Sequence, residues 1–440
     1  MAEHSKARGI WGWMLFDWAS QPFHTVLITF VFGPYFATRV AADPVAGQAS
    51  WGFMLGATGL CIAFLAPFMG ALADSYGARK PWIAAFSVLY LVGTTGLWIA
   101  APGMIDVTWV LIFFALAMIG AEFSTVFTNA MLPSLGTRDE IGRISGSGWA
   151  MGYWGGLVSL IIVLGLMVGN PDSGRTILGL TPVAGRDPAV GTGERAAGPF
   201  SAVWYVIFVI PLFVWPRDLP FRKVGAGVSG ALGDLVRTVR GLPGRASFAS
   251  YLGSSMLYRD ALNGLYAFGG IYAGGVLGWT IVEIGTFGLV TVITGTLGAW
   301  LGGRRDGRFG PKPVSTVCIL ALSAVCVLVV MTTPTSVFGV LLAEDSTAPT
   351  LVFYFCGMVI GACGGAIQAA SRTMLVRHGR EDQMAQSFGL YALAGKATSF
   401  IAPLAVGWVT LATESQRLGV TPIVILFLAG LVVLYWVAPD

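Results

Sequence analysis

The sequence predicts an all-α membrane protein of twelve transmembrane helices arranged as two pseudo-symmetric six-helix bundles. Three observations carry the prediction. Apolar residues make up 55% of the 440 residues and charged residues only 11%. The apolar residues gather into runs long enough to cross a bilayer. The basic residues between those runs alternate in density from one side to the other.

A soluble domain carries about a quarter charged residues, so this chain has too little charge to cover itself in water, and its surplus apolar surface fits lipid. Glycine is abundant, at 60 residues, as in membrane helices whose backbones approach closely. Cys61, Cys318, Cys326, Cys356 and Cys363 all lie in apolar runs without metal-ligand spacing and read as small buried hydrophobes. The net charge of +4 is no nucleic-acid footprint, because the basic residues sit in short loops. The N-terminal segment, from Met1 to Gly9, has no cleavable-signal pattern and leads into a retained helix.

A spanning helix needs roughly 20 mainly apolar residues. Twelve runs qualify: 10–38, 50–73, 82–101, 107–133, 143–169, 200–216, 246–275, 280–302, 313–332, 349–376, 384–411 and 421–438. Their length and lack of period-2 alternation favour helices over a β-barrel. Of the 26 Lys and Arg residues, 19 fall in segments on one side of this topology or at the span ends that border them (Arg143 and Arg372 among these), 5 on the other, and Arg259 and Lys396 deeper within spans. The asymmetry predicts both termini in the cytoplasm. A basic linker, 217–245, separates an N-terminal bundle, 1–216, from a C-terminal bundle, 246–440. Residues 170–199, rich in Gly, Pro and Asp, read as an outer loop.

The halves resemble each other at an offset of 243 residues. MLPSLGTRDEIGRISG from Met131 lies over MLVRHGREDQMAQSFG from Met374, and the same offset carries Asp17 onto Asp260 and Asn129 onto Arg372. A second repeat follows the second and eighth spans, GALADSYGARK from Gly70 and GRRDGRFGPK from Gly303.

In the first of these loops, Gly70, Leu72, Asp74, Gly77 and Lys80 resemble the cytoplasmic gating motif of the major facilitator superfamily. Ser75 and Ala78 stand where Arg is frequent, and in the second copy Asp306 lies one residue early. Asp74, Arg79, Asp306 and Arg308 are the candidate cytoplasmic gate, a carboxylate meeting a helix N-terminus or an arginine. Topological anchoring by Arg79 and Lys80 is the alternative. DWASQPFHTVLITFVFGPYF, GRISGSGWAMGYWGG, YRDALNGLYAFGGIYAGGVLGW and SFGLYALAGKATSFIAP resemble the signature segments of the vacuole-effluxer-like (autophagy-related permease) family within that superfamily. Ser20-Gln21 replaces an expected Asn-Ser pair. The resemblance implies the major facilitator fold, with helices 1, 4, 7 and 10 lining a central cavity. It also implies secondary transport, with amino acids as the attested substrate class of the fungal relatives.

Ionisable groups within a membrane are costly and so point to function. Asp17, Gln21 and His24 share one face of the first span at i, i+4, i+7 spacing. Glu122 and Asn129 mark the fourth span, Asp260, Asn263 and Tyr266 the seventh, Gln368 and Arg372 the tenth, and Lys396 the eleventh. Asp17, Asp260 and Glu122 are the proton-coupling candidates, since a carboxylate whose exposure alternates between two sides can bind and release a proton. Gln21, His24, Asn129, Asn263, Tyr266, Gln368, Arg372 and Lys396 are the candidates for contact with solute. For the two aspartates, a structural role in capping helices or pairing with Arg372 or Arg259 stands beside the coupling role. Gly148, Gly152, Gly155 and Gly156 of the fifth span fit close helix packing better than an antiporter motif.

The expected activity is proton-coupled alternating access for a small polar or zwitterionic, amino-acid-like solute. The expected setting is a bacterial inner membrane, as a monomer in the lipid bilayer, with no nucleic acid, cofactor or metal. No nucleotide-binding motif or nucleophile–base pair suggests an enzyme. An exporter of amphiphilic drugs or lipids, or a non-transporting assembly or sensor protein, are the alternatives.

Overall fold

The computed structural model describes residues 2–76, 78–136, 138–185, 188–218, 244–343, 346–378 and 397–438, with isolated positions in 233–241 and 391–395. The chain is almost wholly helical. The spans are α1 (Ala2–Pro22, continued as a π-helix over Phe23–Phe30), α2 (Pro44–Tyr76), α3 (Lys80–Gly96), α4 (Thr108–Met131), α5 (Arg138–Ile162) and α6 (Thr192–Val214). The second set is α7 (Ala246–Leu277), α8 (Ile281–Phe309), α9 (Pro311–Val330), α10 (Ala348–His378), α11 (Ile401–Thr413) and α12 (Thr421–Tyr435). Three two-residue antiparallel strands, β1 (Thr332–Thr333), β2 (Ser336–Val337) and β3 (Val340–Leu341), join α9 to α10. Among the described residues nine helices are long and apolar enough to cross a membrane. The other three spans, α1, α7 and α11, are interrupted or carry polar residues.

Helices α1, α2, α5 and α6 start earlier than hydropathy suggests, at Ala2, Pro44, Arg138 and Thr192, and contacts explain two of these starts. Helix α2 begins at Pro44, not residue 50, because Asp43 caps it: its Oδ1 accepts the Ala46 N–H at 2.8 Å, and proline suits the first helical position. The polar Gln48 hid this start. Helix α6 begins at Thr192, inside the segment read as an outer loop. Glu194 and Pro199 disguised it as loop. Glu194 is only 4% exposed and pairs with Arg39 at 3.5 Å.

The chain forms two compact units. The first comprises Met1–Ala42 and Phe64–Arg237, the second Asp43–Ala63 and Thr238–Asp440, so the long α2 contributes to both. In the first unit, Trp82, Phe86, Phe123 and Phe127 stack between α3 and α4, and Tyr205 of α6 lies 4.5 Å from Tyr90. In the second, small residues bring α8 and α10 together: a Cβ on Gly295 would stand 3.4 Å from the Gly361 carbonyl oxygen. The early part of α2 packs there on α11, where a Cβ on Gly52 would stand 2.7 Å from the Pro403 carbonyl. Gln48 is fully buried there and donates to Thr410 Oγ1 at 2.8 Å and the Gln416 carbonyl at 3.1 Å. Gln416 in turn donates to the Pro44 carbonyl at 2.8 Å.

Candidate functional site

In the first unit the polar face of α1 lies against the glycines of α5. A Cβ on Gly148 would stand 2.7 Å from Asp17 Oδ2, and one on Gly152 3.4 Å from Gln21 Oε1. Gln21 donates to Thr25 Oγ1 at 3.4 Å. The glycine spacing of α5 thus makes room for the Asp17–Gln21–Thr25 stripe, four residues per step on both helices.

Proline disrupts α1 one turn further on. Pro22 has no N–H, so the Trp18 carbonyl lacks its helical donor. The indole of Trp204, on α6, donates to that carbonyl at 3.0 Å, and the two indoles stack at 5.6 Å. Beyond Pro22 the helix widens to a π-helix, a form concentrated at functional sites. His24 sits at its start, part-buried, its carbonyl accepting the Thr29 hydroxyl at 2.8 Å. On α4, Glu122 is part-buried and Asn129 exposed.

In the second unit α7 runs along α10. Tyr251 donates to the Ser371 carbonyl and Tyr258 shares a hydrogen bond with the Ser371 hydroxyl, both at 2.6 Å. One end of this contact holds Tyr266, whose hydroxyl lies so close to Gly364 that no Cβ would fit. On α10, Gln368 follows Gly364 by one helical turn and Arg372 by two. Gln368 and Arg372 are part-buried, and Asn263 is exposed.

Asp260 occupies the position 243 residues after Asp17, but its setting differs. It is 2% exposed, and its Oδ2 accepts the Ala402 N–H at 3.0 Å, in the first turn of α11. Residues 398–400 form a turn that interrupts the eleventh span just before α11. Pro403 suits that break, since it leaves the Ser399 carbonyl without a helical donor. A carboxylate aimed at a half-helix N-terminus meets free N–H groups and the positive end of the dipole. Asp260 Oδ1 is buried and, among the described residues, has no hydrogen-bond partner. The carboxylate pairs with neither Arg259 nor Arg372, so its structural partner is a helix end.

The loop motif after α2 is held by Lys80 together with Asp218, which the sequence did not single out. Asp218 accepts the Arg79 N–H at 3.0 Å and the Lys80 N–H at 2.9 Å, capping α3. Lys80 Nζ donates to the carbonyls of Phe213 at 2.8 Å and Pro216 at 2.5 Å, capping the end of α6. The second half repeats the device: Lys312, the last basic residue of the second loop motif, donates to the carbonyls of Tyr435 and Val437 at the end of α12. Lys396 and the side chains of Asp74, Asp306 and Arg308 lie outside the described residues. Tyr391, Gln48 and Asp218 were missed. Arg259 was noted as an arginine inside a span and as a pairing partner for the aspartates, but not as a contact for solute.

Two six-helix sets carrying matched carboxylates on their first helices fit a membrane transporter of the major facilitator type. The chain belongs to the family described as vacuole effluxer Atg22 like, which it matches over residues 49–440. It is 23% identical over 434 residues to YxiO of Bacillus subtilis, an uncharacterized transporter of the same superfamily, covering 97% of this chain and 94% of that protein. It is also 23% identical over 300 residues to autophagy-related protein 22 of Yarrowia lipolytica, covering 62% of this chain and 46% of that one. In fold it resembles a D-xylose–proton symporter, with a TM-score of 0.68, 10% identity and coverage of 99% and 97%. A point mutant of the nucleoside transporter NupG gives a TM-score of 0.66 at 15% identity, with 98% of each chain covered. These likenesses fix the major facilitator fold and a multi-pass membrane protein.

Proposed function

We propose that this chain is a secondary active transporter that moves a small polar or zwitterionic, amino-acid-like solute by alternating access, coupled to protons. The observation that carries the reading is the pair of matched carboxylates, above all Asp260. Its Oδ1 is buried inside a membrane helix without a donor among the described residues, while Oδ2 holds the start of α11. An ionised carboxylate in such a place is costly, and a proton on Oδ1 removes the charge while leaving the Oδ2 contact in place. Protonation there is therefore a change that the helix break can feel. Asp17 and Glu122 are the corresponding candidates in the first unit. Gln21, His24, Asn129, Asn263, Tyr266, Gln368, Arg372 and Lys396 are proposed to face the solute. Asp74, Arg79, Asp306 and Arg308 are proposed to form the cytoplasmic gate. The name of the family suggests efflux, and the basic loops suggest cytoplasmic termini in an inner membrane.

The test is transport in proteoliposomes under an imposed pH gradient, first with a panel of amino acids. Asp260→Asn keeps an oxygen for the Ala402 N–H but cannot ionise. It is expected to abolish gradient-driven accumulation while leaving exchange of solute across the membrane. If Asp17→Asn, Asp260→Asn and Glu122→Gln all accumulate solute like the unaltered protein, proton coupling through these groups is wrong.

A further inference from the structure

Arg259 stands next to Asp260 on α7, about 20 Å along the helix from Ala246 at 1.5 Å per residue. Adjacent helical residues point about 100° apart, so the two side chains serve different neighbours. Asp260 reaches α11. Arg259 lies on Tyr391, its guanidinium carbon 4.2 Å from the ring centre and its Nη1 donating to the Tyr391 carbonyl at 3.0 Å. Gly395 makes the space: a Cβ there would stand 2.5 Å from the guanidinium carbon. Tyr391 itself is braced, stacked parallel on Tyr251 at 6.1 Å, and Tyr251 is tied to the Ser371 carbonyl.

The guanidinium is therefore posed before any ligand arrives. Among the described residues only one of its five N–H groups has a protein acceptor and no carboxylate pairs with it, and the side chain is part-exposed. Asp260, adjacent in sequence, is committed to Ala402. A structural arginine inside a membrane is ordinarily paired, because an uncompensated cation is costly there. Among the described residues this one is oriented by a ring and a carbonyl, neither of which neutralises it, and its other N–H donors stay available in a rigid fork. That fork matches two oxygens of one planar anion.

We propose that Arg259 is the anion-recognition residue of the transporter and that it binds the carboxylate of the transported solute. Tyr391 and Gly395 are positioning residues that hold the guanidinium flat and open. The assignment rests on the polar-solute reading above and adds the chemical group that the protein recognises.

The experiment measures equilibrium binding to the purified full-length protein, without a gradient, by thermal shift and calorimetry. The probes are the twenty common L-amino acids, the carboxamide of each acid that binds, inorganic phosphate, glycerol 3-phosphate, and a set of sugars and nucleosides. One or more amino acids are expected to bind, with affinity falling about 10-fold or more for the carboxamide. Arg259→Lys, which keeps the charge but not the fork, is expected to lose a similar factor, and Arg259→Gln more. Both variants are checked for unaltered unfolding without ligand. Tyr391→Leu is expected to weaken the acid more than its carboxamide, which a purely structural role would not do. The proposal is overturned if acid and carboxamide bind alike, if Arg259→Gln retains the unaltered affinity, or if no amino acid binds. Arg259-dependent binding of phosphate compounds but not carboxylates overturns the carboxylate assignment. Sugars or nucleosides that bind and are transported while no acid does would sink Arg259 and leave a polar-solute transporter standing. Retained proton-driven transport in the aspartate variants would sink the coupling reading and leave Arg259 untouched.

Discussion

Replacing Lys80 with methionine keeps most of the side-chain stem and removes the ammonium that closes α6. The lost contacts are two charge-assisted hydrogen bonds, to the Phe213 and Pro216 carbonyls. A hydrogen bond to a charged group contributes about 1.5–3 kcal/mol net, and a cation at a helix C-terminus about 0.3–1 kcal/mol. Lys80 is part-exposed, so water recovers some of that loss, and the expected destabilisation is about 2 kcal/mol. Asp218→Ala removes the cap of α3 and is expected to cost about 1 kcal/mol. Both residues fasten the same junction from opposite ends. The double variant is therefore expected to be non-additive by about 0.5–1 kcal/mol. Lys312→Met, the counterpart in the second unit, is expected to cost a similar amount, and additively with Lys80→Met, because the two lysines share no partner. The assay is reversible unfolding in mixed micelles of a mild detergent and sodium dodecyl sulfate, followed by helical circular dichroism. An unfolding midpoint for Lys80→Met equal to that of the unaltered protein would refute the clamp. Additive losses in Lys80→Met/Asp218→Ala would show instead that the two residues act separately.

Other outcomes follow from single contacts. Trp204→Phe leaves the Trp18 carbonyl without a donor and should cost about 1–3 kcal/mol in the same assay; Pro22→Ala in that background restores a backbone N–H and should recover part of it. A double variant no more stable than Trp204→Phe would disprove the pairing of proline with indole. Gly155→Ala pushes a Cβ to 2.7 Å from the Trp18 carbonyl and should destabilise by about 1–3 kcal/mol, whereas Gly269→Ala meets nothing within 4 Å and should stabilise α7 by about 0.5–1 kcal/mol. Equal effects of the two alanines would contradict the packing. In the loop before α4, the Thr108 hydroxyl and amide hold the Asp106 carboxyl below the ordinary carboxylate range. Its stabilising effect is thus present above the ordinary aspartate value and lost only as pH falls through the lower folded value. Carboxyl NMR should show this titration moving up toward the ordinary value in Thr108→Ala, and an unmoved titration would refute the hydrogen bonds.

The fold was legible because lipid imposes a coarse rule. Any stretch that crosses must bury its backbone polar groups in its own helix and cover itself in apolar side chains. Hydropathy and loop charge report that rule directly, and the likeness of the two halves survived in the loops and in Asp17 and Asp260. What the sequence hid depends on contacts between distant segments. Asp218 looks like an ordinary linker carboxylate until α3 and the end of α6 meet, 138 residues apart in the chain. The break before α11 has one local sign, Pro403, within a long apolar run. Gln48 read as a loop residue because its partners, Thr410 and Gln416, come more than 360 residues later. Asp17 read as one of a polar stripe with Gln21 and His24, but the contact that sequence could not show is the glycine ridge of α5.

The duplication also explains why the two halves carry their charges differently. Tyr391 stands 243 residues after Gly148, and Gly395 the same distance after Gly152. In the first unit the glycine at the earlier position admits a carboxylate, Asp17, against the bare helix. In the second a tyrosine fills that place, and the side chain it supports is Arg259, one residue before the aspartate, with Gly395 providing the room. Asp260, displaced from the α5-like contact, is turned instead to the N–H groups exposed where the eleventh span breaks. One change of residue size on the facing helix therefore separates the two proposed roles. A solute anion and a coupling proton compete for charge if they share one group. Placed on consecutive residues that point to different neighbours, they can be held at once. Their dependence on each other then runs through the interrupted eleventh span, which supplies both the ring under Arg259, before the break, and the Ala402 N–H that meets Asp260, after it. This predicts that Tyr391→Leu alters the pH dependence of transport as well as solute affinity, although Tyr391 touches no carboxylate among the described residues. Uptake measured across a pH series would show the profile shifted in Tyr391→Leu. An unshifted profile with weakened binding would mean that helix 11 positions Arg259 but does not link it to Asp260.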